Sequence, residues 1–398
     1  MKLSTTLASL LAAALMLGNT NAVAQTKADT TVFTVIKAAP ITSVKNQNRS
    51  GTCWSFSGLG FFEAEILKKS GKTYDLCEQF VVYHTMMDRA QAHVRTHGDV
   101  SFSPGGSFYD VLYCLQHYGI CPQDAMVPAG SLYGDTLLNH NELDKLAEGY
   151  VTSITKDGKL KKISPLWKQG LDHIYEAYLG PLPKEFKYQG KTYTPKSFEE
   201  SLGLDLNDYV SLTSYTHHPF YTQFVIEVQD NWRWATSYNL PLDEFMETME
   251  YAVRNGYTFA WGADVSESYF NRNGIATVPA SAKDQSTEGS DQERWIGKSG
   301  GKNPSISEKG EKTITQEMRQ EAYDNWETTD DHGMLIYGLA KDQDGKEYFM
   351  MKNSWGQYGK YKGFGYISKA YVAYKTMNIL INKHAIPANI AKKLGIKQ

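Results

Sequence analysis

Apolar residues recur at helical spacing after residue 53, at Trp54, Phe56, Leu59, Phe62, Ile66 and Leu67. Lys68 and Lys69 then lead to Gly71, a pattern that predicts a long helix with a cationic last turn and a glycine stop. The same spacing predicts helices over Glu78–Val94 and over Phe108–Tyr118, the second closed by Gly119. From about Leu132 to Leu240 helical stretches mix with Pro- and Tyr-rich loops, without a repeat or a readable motif. From Thr258 the pattern becomes strand-like, broken by the polar stretch Ser281–Lys312, which reads as a surface loop. Met334–Lys341 and Lys346–Asn353 are β-rich and flank Asp342-Gln343-Asp344-Gly345, a hairpin signal; Gly365–Ser368 is a further strand. A helical front and a β-rich back predict two lobes with a cleft between them.

The composition supports a folded globular chain: 398 residues, 41% hydrophobic, 13% aromatic and 21% charged. Disorder and low-complexity fibres are excluded. A formal charge of −3 leaves no basic footprint for nucleic acid or an anionic membrane, so neither is expected as a partner. The long apolar run Leu7–Leu17 follows Lys2 and precedes Ala22-Val23-Ala24. It is too short to span a bilayer, which takes about 20 residues, and it reads as a secretory signal peptide cleaved after Ala24. The mature chain is then expected outside the cytoplasm, periplasmic or extracellular, without stable membrane insertion.

Four cysteines, Cys53, Cys77, Cys114 and Cys121, are too few for a disulfide framework in a chain of this length. Cys114 and Cys121 are either a pair or two buried thiols. Cys53 has a different setting, in Ser50-Gly51-Thr52-Cys53-Trp54-Ser55-Phe56 at the opening of the first helix. Unpaired backbone N–H groups and the positive end of the helix dipole favour a thiolate there. Gln47, six residues earlier, can hold a developing oxyanion together with the Cys53 N–H. Asp331-His332-Gly333 opens one strand, and Asn353-Ser354-Trp355-Gly356 closes its hairpin partner. Asn353 can thus orient the His332 ring while Trp355 shields their hydrogen bond.

Gln47, the Cys53-Trp54 helix start, His332-Gly333 and Asn353-Ser354-Trp355-Gly356, in that order, resemble the papain-like cysteine peptidases. Asp330-Asp331-His332, Gly262-Ala263-Asp264-Val265 and Ala340-Lys341-Asp342 before Lys352-Asn353 resemble, more narrowly, the bleomycin hydrolase and aminopeptidase C branch. The resemblance implies an α+β papain-like two-lobe fold, with a helical lobe, a β-barrel-like lobe and a long middle insertion. Its expected organisation is a signal peptide over 1–24, the helical lobe over 25–131, the insertion over 132–240, the β-rich lobe over 241–373 and a C-terminal arm over 374–398. It also implies hydrolysis of peptide substrates through a Cys53 thioester, with His332, Asn353 and Gln47 catalytic, Trp54 and Trp355 supporting, and no cofactor. In that branch the C-terminal arm blocks the non-primed side of the cleft. The implied receptor of the substrate's free α-ammonium is then the carboxylate of Gln398, and the implied activity that of an aminopeptidase. Ser50 stands where many relatives carry a second cysteine, and Cys77 where the usual pattern has serine.

Other readings stay open: an endopeptidase or acyl transferase of the same fold, or a non-catalytic scaffold, including a homo-oligomeric shell. His93 and His97 read as a solvated helix end, and His217-His218-Pro219 as a turn. Neither set carries a metal-ligand pattern, and no metal is expected.

Overall fold

The computed structural model describes residues 31–156, 160–267, 269–270, 274–280 and 310–398. The proposed signal peptide and nearly all of the polar stretch 281–312 lie outside them. After a short strand β1 (Thr34–Ala38), the helical part opens with α1 (Cys53–Ser70), α2 (Glu78–Arg95) and α3 (Phe108–His117). Thr52 O accepts from Ser55 N and Phe56 N to start α1, and Gly71, at φ +70°, donates to Leu67 O to stop it. Every α1 residue from Trp54 to Ile66 is buried, because the helix is sandwiched between the lobes and has no solvent face.

The middle of the chain adds α4 (Asn141–Lys156), α5 (Leu166–Leu179), the hairpin β2 (Phe186–Tyr188) and β3 (Lys191–Tyr193), and α6 (Pro195–Ser201). Their apolar residues, among them Leu143, Val151, Leu171, Tyr175 and Phe198, join the core of α1–α3. This part of the middle segment thus completes the helical lobe. Residues 209–239 leave it again as three strands, β4 (Tyr209–Thr213), β5 (Gln223–Val225) and β6 (Thr236–Asn239).

The remaining elements are α7 (Leu242–Arg254), β7 (Phe259–Ala263), β8 (Ile275–Ala276), α8 (Gln316–Asp324), β9 (His332–Lys341), β10 (Glu347–Lys352), β11 (Phe364–Ser368), α9 (Lys369–Lys375), β12 (Thr376–Asn382) and α10 (Ala388–Lys393). Ten strands form one mixed sheet in the order β5-β6-β4-β12-β7-β9-β10-β11-β8, with β1 on β9. Alternation along the strands gives the sheet two faces. Ala260, Leu335 and Leu380 pack with the helical lobe, whereas Trp261, Ile336, Ile379 and Ile381 pack with α7 and α10 on the back. The hairpin turn lies where the sequence places it: Gly345 at φ +85° donates to Asp342 O, and Asp342 N to Lys346 O.

Candidate active site

The opening of α1 meets the beginning of β9 at the base of a cleft of about 310 Å³. Cys53, half-buried, and His332 both line it, and the Gly333 backbone N–H lies near enough to the Cys53 sulfur to favour its charged form. This approach depends on Gly333 having no side chain. A Cβ there would lie 2.6 Å from Ser57 Oγ on α1 and 3.1 Å from the Phe108 ring.

The β9–β10 hairpin brings the second pair together. His332 Nε2 lies 2.8 Å from Asn353 Oδ1, which also accepts from Ser354 N at 2.7 Å. With both acceptor positions of Oδ1 engaged, Nε2 carries the proton and Nδ1 remains for the thiol. Trp355 stacks on the imidazole with ring centroids 4.2 Å apart and planes 20° apart, and His332, Asn353 and Trp355 are all buried. Gln47 is tied to the same loop. Its N–H donates to Ser354 O at 2.8 Å, and Ser354 Oγ donates to its Oε1 at 2.6 Å. The Nε2 end of the amide is therefore left to serve an acceptor. Trp54 is buried and donates to Pro104 O at 3.1 Å, which fixes the chain entering the opposite wall.

Burial works against the thiolate expected at a helix start. Burial pushes the Cys53 thiol up to about 12, aided by the charges of Asp330 and Asp230 and opposed by the Gly333 and Trp54 N–H groups. Burial also pulls His332 down to about 4, against the pull of Asn353 and Asp331. Both shifts come first from desolvation, which opposes the charge that the helix dipole favours at Cys53.

The walls hold residues that sequence reasoning missed. Arg89 of α2 has a fully buried side chain and binds both sides of the cleft. It donates to Gly105 O (2.7 Å), to Ser101 O (2.8 Å) and to Asp230 Oδ1 (3.3 Å). Arg233 ties the same 230s segment to Asp88 (2.8 Å) and Asp110 (2.7 Å) on α2 and α3. Asp230 thereby reaches the cleft, opposite a chain distance of well over a hundred residues from both Cys53 and Arg89, and no local pattern marks it. Asp330 could have been found, since it stands beside Asp331-His332.

Gln398 is not brought to the cleft. Residues 376–382, expected in a C-terminal arm, form β12 between β4 and β7. Beyond it Ile390, Ala391 and Leu394 pack in the core on the back of the sheet. Gln398 Nε2 donates to the Lys383 and Ile386 carbonyls at 2.8 and 2.6 Å. Lys375, Lys383, Lys392, Lys393 and Lys397 give this segment a polar pattern, but Ile390, Ala391 and Leu394, at helical spacing, decide its place.

The remaining histidines also differ from expectation in detail. His93 is a buried residue bonded to Val100 O (2.6 Å) and Thr155 Oγ1 (2.9 Å), not a solvated one. His97 lies beyond the end of α2, at φ +55°, and does not share its face. His217 and His218 both bond the exposed Glu227 carboxylate, at 3.1 and 3.2 Å. All four cysteines are free. Cys121 lies against Cys77, whose backbone N donates to Cys121 O at 3.0 Å, and both Cys77 and Cys114 act on its thiol.

The chain is 22% identical over 389 residues to aminopeptidase C of Lactobacillus delbrueckii subsp. lactis, covering 88% of this chain and 81% of that protein. It is 22% identical over 420 residues to aminopeptidase C of Lactobacillus helveticus, covering 92% and 86%. The crystal structure of PepW from Lactobacillus rhamnosis HN001 superposes with a TM-score of 0.68 over 91% of this chain and 84% of that one, at 20% identity, and shows the same fold. The sequence profile of the peptidase C1-like family matches residues 7–291, more than half of the chain. On that match, the chain belongs to the peptidase C1-like family.

Proposed function

We propose that the chain is a thiol peptidase that removes residues from the free N-termini of peptides, with Cys53 as nucleophile and His332 as its base. The observation that carries this reading is the single constellation at the cleft base. The Cys53 sulfur lies against the Gly333 N–H, and the neighbouring imidazole is held by Asn353 at 2.8 Å. The naming of relatives at this similarity as aminopeptidases supports the exopeptidase part.

In the reaction the Cys53 sulfur bonds the peptide carbonyl carbon while its proton passes to His332 Nδ1. The oxyanion is received by Gln47 Nε2 and the Cys53 N–H. Collapse breaks the C–N bond, and the leaving amine takes the proton from His332. Water then gives a proton to His332 and its oxygen bonds the thioester carbon. The C–S bond breaks and the sulfur recovers the proton. The Asn353 bond stabilises the imidazolium that forms when His332 takes the thiol proton.

Mapping of the cysteine alkylated by an iodoacetamide-type probe, with turnover of a fluorogenic peptide measured in parallel, tests the assignment. Loss of turnover in step with labelling of Cys53 is expected, and full activity with Cys53 blocked contradicts it. Product analysis with added amine separates hydrolysis from acyl transfer. We also propose export, on residues 1–24 alone. The mature chain is then expected to begin near Gln25 outside the cytoplasm, and N-terminal sequencing of fractionated cells that finds an intact Met1 in the cytosol would refute it.

A further inference from the structure

An exopeptidase that requires a free N-terminus needs a receptor for the substrate's α-ammonium. Gln398, which the resemblance implies for that role, is bonded through Nε2 to the Lys383 and Ile386 carbonyls, away from the cleft, and the lining of the cleft itself offers an alternative. Among the described residues the cleft is lined by three aspartates and by no lysine or arginine. Asp331 is already engaged: it accepts from Val265 N, Ser266 N and Thr329 Oγ1 at 3.2, 3.1 and 2.6 Å. Asp230 is balanced by Arg89 at 3.3 Å, although its carboxylate still faces the cleft against Gly105, where a Cβ would stand only 2.0 Å from Oδ2. Asp330 differs from both: it is exposed within the cleft and accepts no hydrogen bond from any described residue. Asp330 and Asp230 also stand close enough to repel one another, and both act on the Cys53 sulfur.

We infer that Asp330, with Asp230 as the second acceptor, receives the α-ammonium of the peptide substrate and thereby sets the requirement for a free N-terminus. The inference rests on the thiol-peptidase reading and deepens it. An ammonium between the two carboxylates satisfies the uncompensated charge of Asp330 with charge-assisted hydrogen bonds. It also removes the repulsion that the pair exerts on negative charge at Cys53, so a correctly placed N-terminus favours the attacking sulfur. A peptide blocked at its N-terminus does neither, and buries Asp330 without a partner.

The test uses the full mature chain and three fluorogenic peptides of neutral P1 residue or lysine: a free-amine neutral peptide, its N-acetyl form, and an N-acetyl peptide with lysine. They are compared on the wild type, Asp330→Asn and Asp230→Asn. For the free-amine peptide, Asp330→Asn is expected to raise KM by about 10- to 100-fold and Asp230→Asn by less. The N-acetyl neutral peptide should be cleaved as slowly by Asp330→Asn as by the wild type, or faster. A wild-type preference for the free amine that survives in Asp330→Asn overturns the inference. So does dependence on Asp330 that appears only with the lysine side chain, since the receptor would then serve a side chain. Equal wild-type cleavage of the free and acetylated neutral peptides also overturns it, while leaving the thiol peptidase standing. Failure of the wild type to cleave any of the three overturns the thiol-peptidase reading itself. Unchanged alkylation of Cys53 in a variant without turnover establishes that its cleft is still folded.

Discussion

His332 Nε2 and Asn353 Oδ1 are 2.8 Å apart, and the two residues belong to the first position of β9 and the position following β10. One hairpin, closed by the turn at Asp342–Gly345, therefore fixes the orientation of the imidazole that lines the cleft with Cys53. The nucleophile comes from a different lobe, so the constellation exists only while α1 stays packed on β9.

Removal of the base should cost more than removal of its orienting group. His332→Ala is expected to lower kcat by about 10³- to 10⁴-fold, the upper part of the range of general acid–base catalysis. Asn353→Ala should cost about 10- to 100-fold, because an unheld ring still visits the productive orientation. Steady-state kinetics on both variants decides this, and equal losses would give Asn353 a different role.

Gly333→Ala tests the contact between lobes. Its Cβ would meet Ser57 Oγ at 2.6 Å and the Phe108 ring at 3.1 Å, forcing α1 and β9 apart. Overpacking of this kind costs about 1–3 kcal/mol, and thermal unfolding should show a lowered Tm together with reduced kcat. A variant with unchanged Tm and full activity would mean that the sulfur does not depend on this approach.

Acid should destabilise the fold through buried histidines. Burial lowers His84 and His140 to about 4, from an ordinary value of 6.5. The unfolded chain therefore binds more protons than the folded one between those values, and stability falls as pH drops from about 6.5 towards 4. Each residue should contribute on the order of 1–2 kcal/mol by pH 5. Urea midpoints at pH 7 and pH 5 measure this, and His140→Gln should reduce the difference.

Substrate affinity should follow the ionisation of Asp330. The cleft walls around its carboxyl desolvate it although part of the residue stays exposed, and with repulsion from Asp230 and Asp331 they push it up to about 7. The other titratable groups that bear on it are Cys53 and Tyr215, with Arg89 acting through Asp230; His332, two residues on, stays neutral down to about 4. Only the ionised carboxylate holds an ammonium strongly, so KM for free-amine peptides should rise as pH falls through 7. KM for the acetylated peptide should stay level, and KM–pH profiles for the two peptides provide the comparison.

Local pattern carried much of this far. α1, α2 and α3 end within a residue or two of the sequence expectation, because glycine stops and helical periodicity are local. The β9–β10 hairpin was legible for the same reason, and with it the His332–Asn353 pair. The C-terminal segment was not: Thr376–Asn382 has strand-forming residues, but its insertion between β4 and β7 is decided by partners more than a hundred residues away. The burial that opposes a thiolate at Cys53 was not legible either. A helix start can be read from neighbouring residues, whereas desolvation comes from the lobe that closes over it. Asp230 entered the cleft through Arg89 and Arg233, whose partners lie on distant helices.

The central claim, that Cys53 is the nucleophile, is tested most directly by turnover of a free-amine fluorogenic peptide by purified Cys53→Ala with wild-type circular dichroism and Tm. The account predicts no cleavage above the enzyme-free background. Cleavage by that folded variant at a rate comparable to the wild type would contradict it.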